Sequence, residues 1–540
     1  MEDMTFDGII IGAGHNGLIT AAYLAKAGLK VAVFESRPQI GGGFTTEEVT
    51  APGFKHNLHT IHAKLHDSPA HYDLDLARYG ASYLFPDPKM AFVRRQEWFL
   101  LYQESERNAT AIERISRRDA ATYRRVAEKW HRWYLDFILP ELYSPPKPPD
   151  QWEAELRARP GGDEYVDVVL GYSPLEYSQE LFESEFCRLS LQRGATAAEY
   201  DISTRGIPAV VFAHIINWFA GKTALIRGGT REAAEALGRC IEDHGGRVFL
   251  GQRVGKIIVE RGAARGIALE NGREVRASRF VASSIDPVHT FLVMIDDEVL
   301  PADVAERAMA FQFRESSIFR VHLALEEPPR FTIAEREPDI NRAWKFNVGF
   351  ESPEDLVKMG EQARSGRIPE ALGVDFGVIT THDPSQAPAG KHTAYVGVFA
   401  PFELAEGGAD AWSSVADEAA GRVLAKLREY APNMTDDNIV GRFSYTPKDI
   451  EEFLPDMING DVCQGKMCPE QLGYNRPWPG MSQYRTPIEN LYLCGASTHP
   501  GGHAIGGPGY NAAGVIADDL GIDRWWRPFE PRKVIPEAVR

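Results

Sequence analysis

Cysteine is scarce in this 540-residue chain. The five residues, Cys187, Cys240, Cys463, Cys468 and Cys494, are odd in number and include no C-x-x-C pair. That excludes a disulfide framework or zinc ribbon and fits a reducing compartment. Cations are in deficit, 59 Lys and Arg against 76 Asp and Glu. The resulting net charge of -17 repels phosphate backbones and argues against nucleic acid as a partner. Long apolar runs are missing too. The longest nearly apolar stretch, residues 207–220, contains His214 and Asn217 and falls short of the roughly 20 residues that a membrane span needs. Core packing explains it better than a membrane-dipping entrance, which would make the protein peripherally membrane-associated. The start, Met1-Glu2-Asp3-Met4, lacks the basic region of a secretory signal. A cytoplasmic location is therefore expected.

What is present is ordinary globular composition, with 44% hydrophobic and 10% aromatic residues, in a chain long enough for two or more domains. Residues 6–11 form a short apolar run. Gly12-Ala13-Gly14-His15-Asn16-Gly17 follows, and then Leu18, Ala21, Ala22, Leu24 and Ala25 at helical spacing. Gly28 suits a helix C-terminus, and residues 30–34 form a second apolar strand ending at Glu35. In this strand-turn-helix-strand setting Gly12, Gly14 and Gly17 allow a tight turn and close approach to a pyrophosphate, while Glu35 suits ribose hydroxyls. Arg37 and Gly41-Gly42-Gly43 let the chain follow a long ligand past its pyrophosphate, which favours FAD over a nicotinamide dinucleotide. Gly507-x-Gly509-x-x-Ala512 imitates a second fingerprint, but no strand with an acidic end follows it. It reads instead as a helix N-terminus aimed at the flavin, where its dipole would stabilise negative charge. With one dinucleotide site, the reductant is expected to be the organic substrate and not NAD(P)H.

The texture changes along the chain. Residues 78–224 carry longer helical patterns and a break at Ser144-Pro145-Pro146-Lys147-Pro148-Pro149. Short elements return after a Thr230-capped helix, with Asn271-Gly272 as a hairpin turn. The fold expected is α/β, with a discontinuous Rossmann-like FAD-binding domain over residues 1–77, 225–300 and 480–540. An interleaved α+β substrate domain would cover residues 78–224 and 301–479.

The opening Gly-Ala-Gly-His-Asn-Gly-Leu of residues 12–18 and the stretch from Glu35 to Gly42 carry a resemblance. So do Arg227-Gly228-Gly229-Thr230, the stretch from Tyr492 to Gly502 with Pro508-Gly509-Tyr510-Asn511, Ala431-Pro432-Asn433 and Tyr484-Arg485-Thr486-Pro487. Together they resemble the phytoene-desaturase-like FAD oxidoreductases, and within them the carotenoid-ketolase type. The resemblance implies a monoamine-oxidase-like architecture with noncovalent FAD. Gly12, Gly14, Gly17, Glu35, Arg37, Gly41 and Gly42 would bind the adenosine, pyrophosphate or linker, and the Val254 backbone would meet adenine. Gly495, Ala496, Gly507, Pro508, Gly509, Tyr510 and Asn511 would lie beside the flavin. It also implies a hydrophobic or aromatic small-molecule substrate, with oxygen or quinone as electron acceptor.

His56, His59, His62 and His66 recur at intervals of three, three and four, so a helix would place them on one face. Lining, proton transfer and metal binding are all open readings of such a row, and a metal is the one least expected. A polyene offers imidazoles nothing to bind, so the row points to a substrate bearing a hydroxyl, carbonyl or phenol. His59 or His62 would then take the proton that leaves with the hydride, and His503, in the flavin-proximal loop, receives the same reading. His499 reads as structural, as do the thiols Cys463 and Cys468. Trp130, Trp133, Tyr134, Trp152, Tyr165, Tyr172 and Tyr177 read chiefly as core, with a minority lining a cavity. The function expected is oxidation, by desaturation, of a hydrophobic molecule through hydride transfer to flavin. Rival readings are an amine, alcohol or phenol oxidase and a flavin-free lipid-binding chaperone.

Overall fold

The computed structural model describes residues 5–62 and 64–536; the acidic start at Met1–Met4 lies outside them. β1 (Thr5–Ile11), helix α1 (His15–Lys26) and β2 (Val31–Phe34) open the chain as the apolar pattern predicts. β2 is wholly buried, and both strands pair in parallel, which is why they read as continuous apolar runs and do not alternate. Gly28, at φ +91°, follows the end of α1.

The first sheet runs in the order Val254–Glu260, Ala263–Leu269, Glu274–Ser283, β1, β2, Arg247–Phe249, with Leu491–Leu493 also paired to Glu274–Ser283. β1 pairs in parallel with Glu274–Ser283, and β2 with Arg247–Phe249. The strands flanking Asn271-Gly272 are antiparallel, with Gly272 at φ +82°, so the expected hairpin is present. Thr230 does precede the helix Arg231–Asp243, but its side chain caps nothing there. Its hydroxyl turns to the carbonyl of Thr45 instead.

The second sheet runs Ile439–Tyr445, Ser316–Leu325, His392–Pro401, Val374–Val378, Lys345–Val348, Met90–Val93, Trp98–Leu101. The helices Pro353–Arg364 and Trp412–Arg428 pack against it. The apolar stretch forms the helix Ala209–Phe219, buried along its whole length. Among the described residues no helix is long and apolar enough to cross a membrane. Phe212 of that helix lies within ring contact of Trp130, Trp133, Tyr165 and Tyr177, at centroid distances of 5.7 to 6.3 Å. The aromatic cluster is therefore largely core. The proline run breaks the chain as expected, except that its last member, Pro149, starts the helix Pro149–Arg157, a position where a missing N–H costs nothing.

Candidate active site

Between the two sheets lies a cavity of about 890 Å³, at the upper end of ligand-binding volumes. At its nucleotide end the three fingerprint glycines serve different ends. Gly12 has φ +92°, and a Cβ there would stand 2.7 Å from Ser284 Oγ. A Cβ on Gly17 would run into the Gly12 carbonyl oxygen. Gly14 differs, because nothing among the described residues lies within 4 Å of where its Cβ would be. Gly12 and Gly17 are needed by the protein's own packing, whereas Gly14 keeps open ground on the cavity wall. No side chain caps α1 where it begins at Gly14, so its first-turn amides remain available to an anion.

Glu35, at the end of β2, ties this corner together. Its Oε2 accepts from the Ala13 amide at 2.8 Å and its Oε1 from the Arg37 amide at 2.9 Å. The Arg37 guanidinium stacks 3.8 Å over the Phe453 ring and meets Glu47 at 3.2 Å, yet its Nη1 is buried without a partner among the described residues. Open ground beside Gly14, a buried carboxylate and an unsatisfied guanidinium nitrogen fit the ribose and pyrophosphate of a dinucleotide.

Of the residues expected at the site, Gly12, Gly14, Gly17, Glu35, Arg37, Gly42, Val254 and Ala496 reach the cavity wall, as do His59, His62 and His503. The others stand behind it. Gly41 is bridged to Gly14, and Gly495 lies against the Ser284 carbonyl. Gly507, Pro508, Gly509, Tyr510 and Asn511 form the opening of the helix Gly507–Asp519 and serve to seat it. Gly509 lets it touch the Asn16 carbonyl of α1, and Asn511 donates to Leu142 O at 3.2 Å and Tyr484 Oη at 2.9 Å. Tyr510 packs edge-on to Tyr23 and Tyr143. His503 and Ala504, just ahead of that helix, are the residues that face the cavity.

The histidine row is not a helix face. His56 lies in a two-residue strand paired with Thr46–Glu47, and His66 in the short turn Leu65–Asp67. His56 bonds Thr50 Oγ1 at 2.8 Å and meets the His322 ring edge-on, while His66 lies 3.2 Å from Asp67. Backbone pairing overrides the three-four spacing, and only His59 and His62 turn to the cavity. His59 Nε2 is held by Tyr445 Oη at 2.8 Å, and its Nδ1 has no partner among the described residues. Burial, then Arg320 and Arg37, lower its pKa to about 3. Burial, then Lys345, Lys64 and Arg320, hold His62 well below its ordinary value. Burial, Lys64 and Arg476 bring His503 to about 3. All three imidazoles are thus neutral and weakly basic.

Sequence reasoning missed the group between them. Lys64 is buried on the cavity wall, and its Nζ lies 3.2 Å from His214 Nδ1, with the His214 ring 4.5 Å from that of His503. Burial lowers Lys64 to about 7 against the opposing pull of Asp67. The second sheet contributes Arg320, Lys345, Asp375 and Tyr395 to the same cavity. Their signal was the recurrence of charged or polar residues at alternate positions within apolar strands, as with Arg320 and His322 or Lys345 and Asn347, spread over four distant segments.

The thiols are free, with Cys463 buried 3.8 Å from His503 Nε2. Ligand atoms of Glu199, Asp461 and Cys463 lie within 4.8 Å of one another. Both carboxylates are already engaged, however. Asp461 accepts from the amides of Arg314, Cys463 and Gly465, and Glu199 pairs with Arg314 at 3.0 Å.

Residues 17–509 match the family model described as flavin containing amine oxidoreductase. The chain is 32% identical over 562 residues to a limonene dehydrogenase component from Castellaniella defragrans, covering 98% of this chain and 97% of that one. It is 28% identical over 306 residues to the lycopene-forming phytoene desaturase of a Paracoccus species, covering 56% of each. In structure it is similar to the cyclohexylamine oxidase of Brevibacterium oxydans, with a TM-score of 0.55 at 16% identity over 96% of this chain and 99% of that one.

Proposed function

Because the chain belongs to the flavin-containing amine oxidoreductases and is thereby an FAD-dependent oxidoreductase, we propose that it desaturates a hydrophobic organic molecule. The observation that carries this reading is that one cavity has both the open ground at Gly14 and the apolar side chains of Leu356, Met359, Val398 and Phe399 on its wall. The names of the relatives, a limonene dehydrogenase component and a phytoene desaturase, support an apolar substrate. A flavin-free lipid-binding chaperone would need neither the open ground nor the unsatisfied Arg37.

In this reading Gly12, Gly14 and Gly17 cradle the pyrophosphate, Arg37 neutralises it and Glu35 takes the ribose hydroxyls. The Val254 backbone meets adenine, and Ala496 lies near the ring system. The helix Gly507–Asp519 directs its positive end toward it. Residues 1–77, 225–300 and 480–540 then form the cofactor domain, and residues 78–224 and 301–479 the substrate domain. Bound FAD supplies the two-electron acceptor, and oxygen or a quinone takes the electrons onward.

The chain's own task is to exclude water and to accept the proton lost from the carbon next to the one that gives up hydride, so that a C=C bond forms. Lys64 suits that task better than His59 or His62. Its amine is buried on the wall, is steadied by His214 and is neutral in a substantial fraction near neutral pH, whereas both imidazoles are held at low basicity by burial and by the cations beside them. The test is anaerobic mixing of the flavin-loaded protein with a panel of terpenes, terpenoid alcohols, terpenoid acids and alkylamines, read by bleaching of the flavin band and by mass and NMR spectra of the product. A product lighter by two hydrogens that carries a new C=C bond and no new carbonyl supports the reading. Bleaching by amines alone would overturn it.

A further inference from the structure

We infer that Arg193, Arg320, Lys345 and Tyr395, grouped around Asp375, form a binding site for a carboxylate carried on an otherwise apolar substrate. This rests on the proposal that the cavity holds the substrate, and adds to it the polar group the substrate must bear.

The site is written into the register of the second sheet. Arg320 stands opposite Gly397, Gly397 opposite Asp375, and Asp375 opposite Asn347. Two residues along, His322 stands opposite Tyr395, Tyr395 opposite Gly377, and Gly377 opposite Lys345. Side chains alternate along a strand, so both rows share one face. The intervening Phe319, Val321, Phe346, Phe376 and Val396 are buried in the hydrophobic core. The sheet therefore turns its apolar face to the core and a polar face to the cavity. A glycine in each row makes room for a neighbour. A Cβ on Gly377 would lie 2.5 Å from the Tyr395 ring, so only glycine lets that ring lie across the strand.

The charges on this floor do not balance. Asp375 lies 3.5 Å from both Arg193 Nη2 and Lys345 Nζ, and it is one carboxylate facing three cations. Glu199, elsewhere on the wall, is spent on Arg314. The cations are fixed in advance. Arg320 donates to the Leu58 and His59 carbonyls at 2.9 Å, Arg193 Nε to Asn347 Oδ1 at 2.7 Å, and Lys345 sits 4.3 Å over the Trp218 ring. The buried Tyr395 hydroxyl has no partner among the described residues.

A buried excess of positive charge is costly until an anion answers it. Guanidinium and ammonium groups beside a free hydroxyl match the planar oxygen pair of a carboxylate. A hydrocarbon would leave this floor desolvated and unpaired, and an amine would add a further positive charge.

The test is calorimetric titration of the FAD-loaded protein with octanoate, 1-octanol and octylamine, three probes that share one apolar tail. Octanoate is expected to bind at least tenfold tighter than octanol, and octylamine not measurably. Tyr395→Phe, which removes a hydroxyl that has no partner among the described residues, should weaken octanoate several-fold and leave octanol unchanged. Lys345→Met should weaken octanoate tenfold or more. Octanol or octylamine binding as tightly as octanoate, or no measurable octanoate binding, overturns the inference. Heat reports binding without turnover, so the two readings fail separately. A carboxylate preference with no desaturation refutes the proposed reaction alone, and oxidation of neutral terpenes with no carboxylate preference refutes this site alone.

Discussion

Replacing Gly14 by valine separates the needs of the ligand from those of the fold. Gly14 has φ -68° and ψ 161°, a conformation open to any residue. Its Cβ would meet nothing within 4 Å, so the apoprotein should melt within about 0.5 kcal/mol of wild type, as surface substitutions do. The added methyls would project where the pyrophosphate approaches the first turn of α1. Loss of two hydrogen bonds to that charged group, at about 1.5–3 kcal/mol each, amounts to roughly 3–6 kcal/mol. FAD affinity should then fall by roughly 10²- to 10⁴-fold. Gly17→Val is the contrasting case, since its Cβ would strike the Gly12 carbonyl and come within 2.8 Å of Ser284 Oγ. It should destabilise the apoprotein by about 1–3 kcal/mol through overpacking. Thermal unfolding of the two apoproteins and fluorescence titration with FAD give both quantities. If Gly14→Val binds FAD within threefold of wild type, or melts as early as Gly17→Val, the division of labour among these glycines is wrong.

Flavin reduction by the best substrate should quicken as pH rises through about 7, because Lys64 must lose its proton before it can accept one. Lys64→Met should be slower by roughly a hundredfold or more and should flatten that profile. A flat profile in His59→Ala or His62→Ala, with Lys64→Met unaffected, would return the role to the imidazoles. NADH or NADPH mixed anaerobically with the oxidised protein should leave the flavin band intact over the time in which substrate bleaches it; rapid bleaching would reveal a nicotinamide site. Phe212→Ala, at the centre of the ring cluster with Trp130 and Tyr165, should cost about 3–5 kcal/mol in urea unfolding, and a loss below about 1 kcal/mol would mean the cluster is not the core described.

The features legible in the sequence were those whose physics is local. Gly12, Gly14, Gly17 and Glu35 announce themselves because turn, helix start and strand end fall within one short stretch; the hydrogen bond by which Glu35 accepts from the Ala13 amide was not part of that reading. The cavity floor was not legible, because Arg320, Lys345, Asp375 and Tyr395 become neighbours only once antiparallel strands are in register. Arg320 and His322 in a strand such as Ser316–Leu325 are by themselves unremarked. The histidines misled for the opposite reason. Their spacing suits a helix, but His56–Asn57 pairs with Thr46–Glu47, and a long-range ladder outweighed the local pattern. Lys64 lay in plain view among them, and only burial, a tertiary property, distinguishes it from a surface lysine.

The first sheet has a consequence for how the protein is made. Its strand Glu274–Ser283 pairs with β1 from the beginning of the chain and, through Val281 and Leu491, with a strand near its end. Ribosomes add roughly 5–20 residues per second, so the glycine turn after β1 waits on the order of 25–100 s before the strand that completes its sheet is synthesised. For roughly the last 10–40 s of that wait, at the same rate, part of the edge of Glu274–Ser283 is unpaired, an invitation to association with other nascent chains. Cofactor capture should therefore be a late, post-release event, and the yield of coloured protein should depend on chaperone supply during synthesis more than on the abundance of FAD.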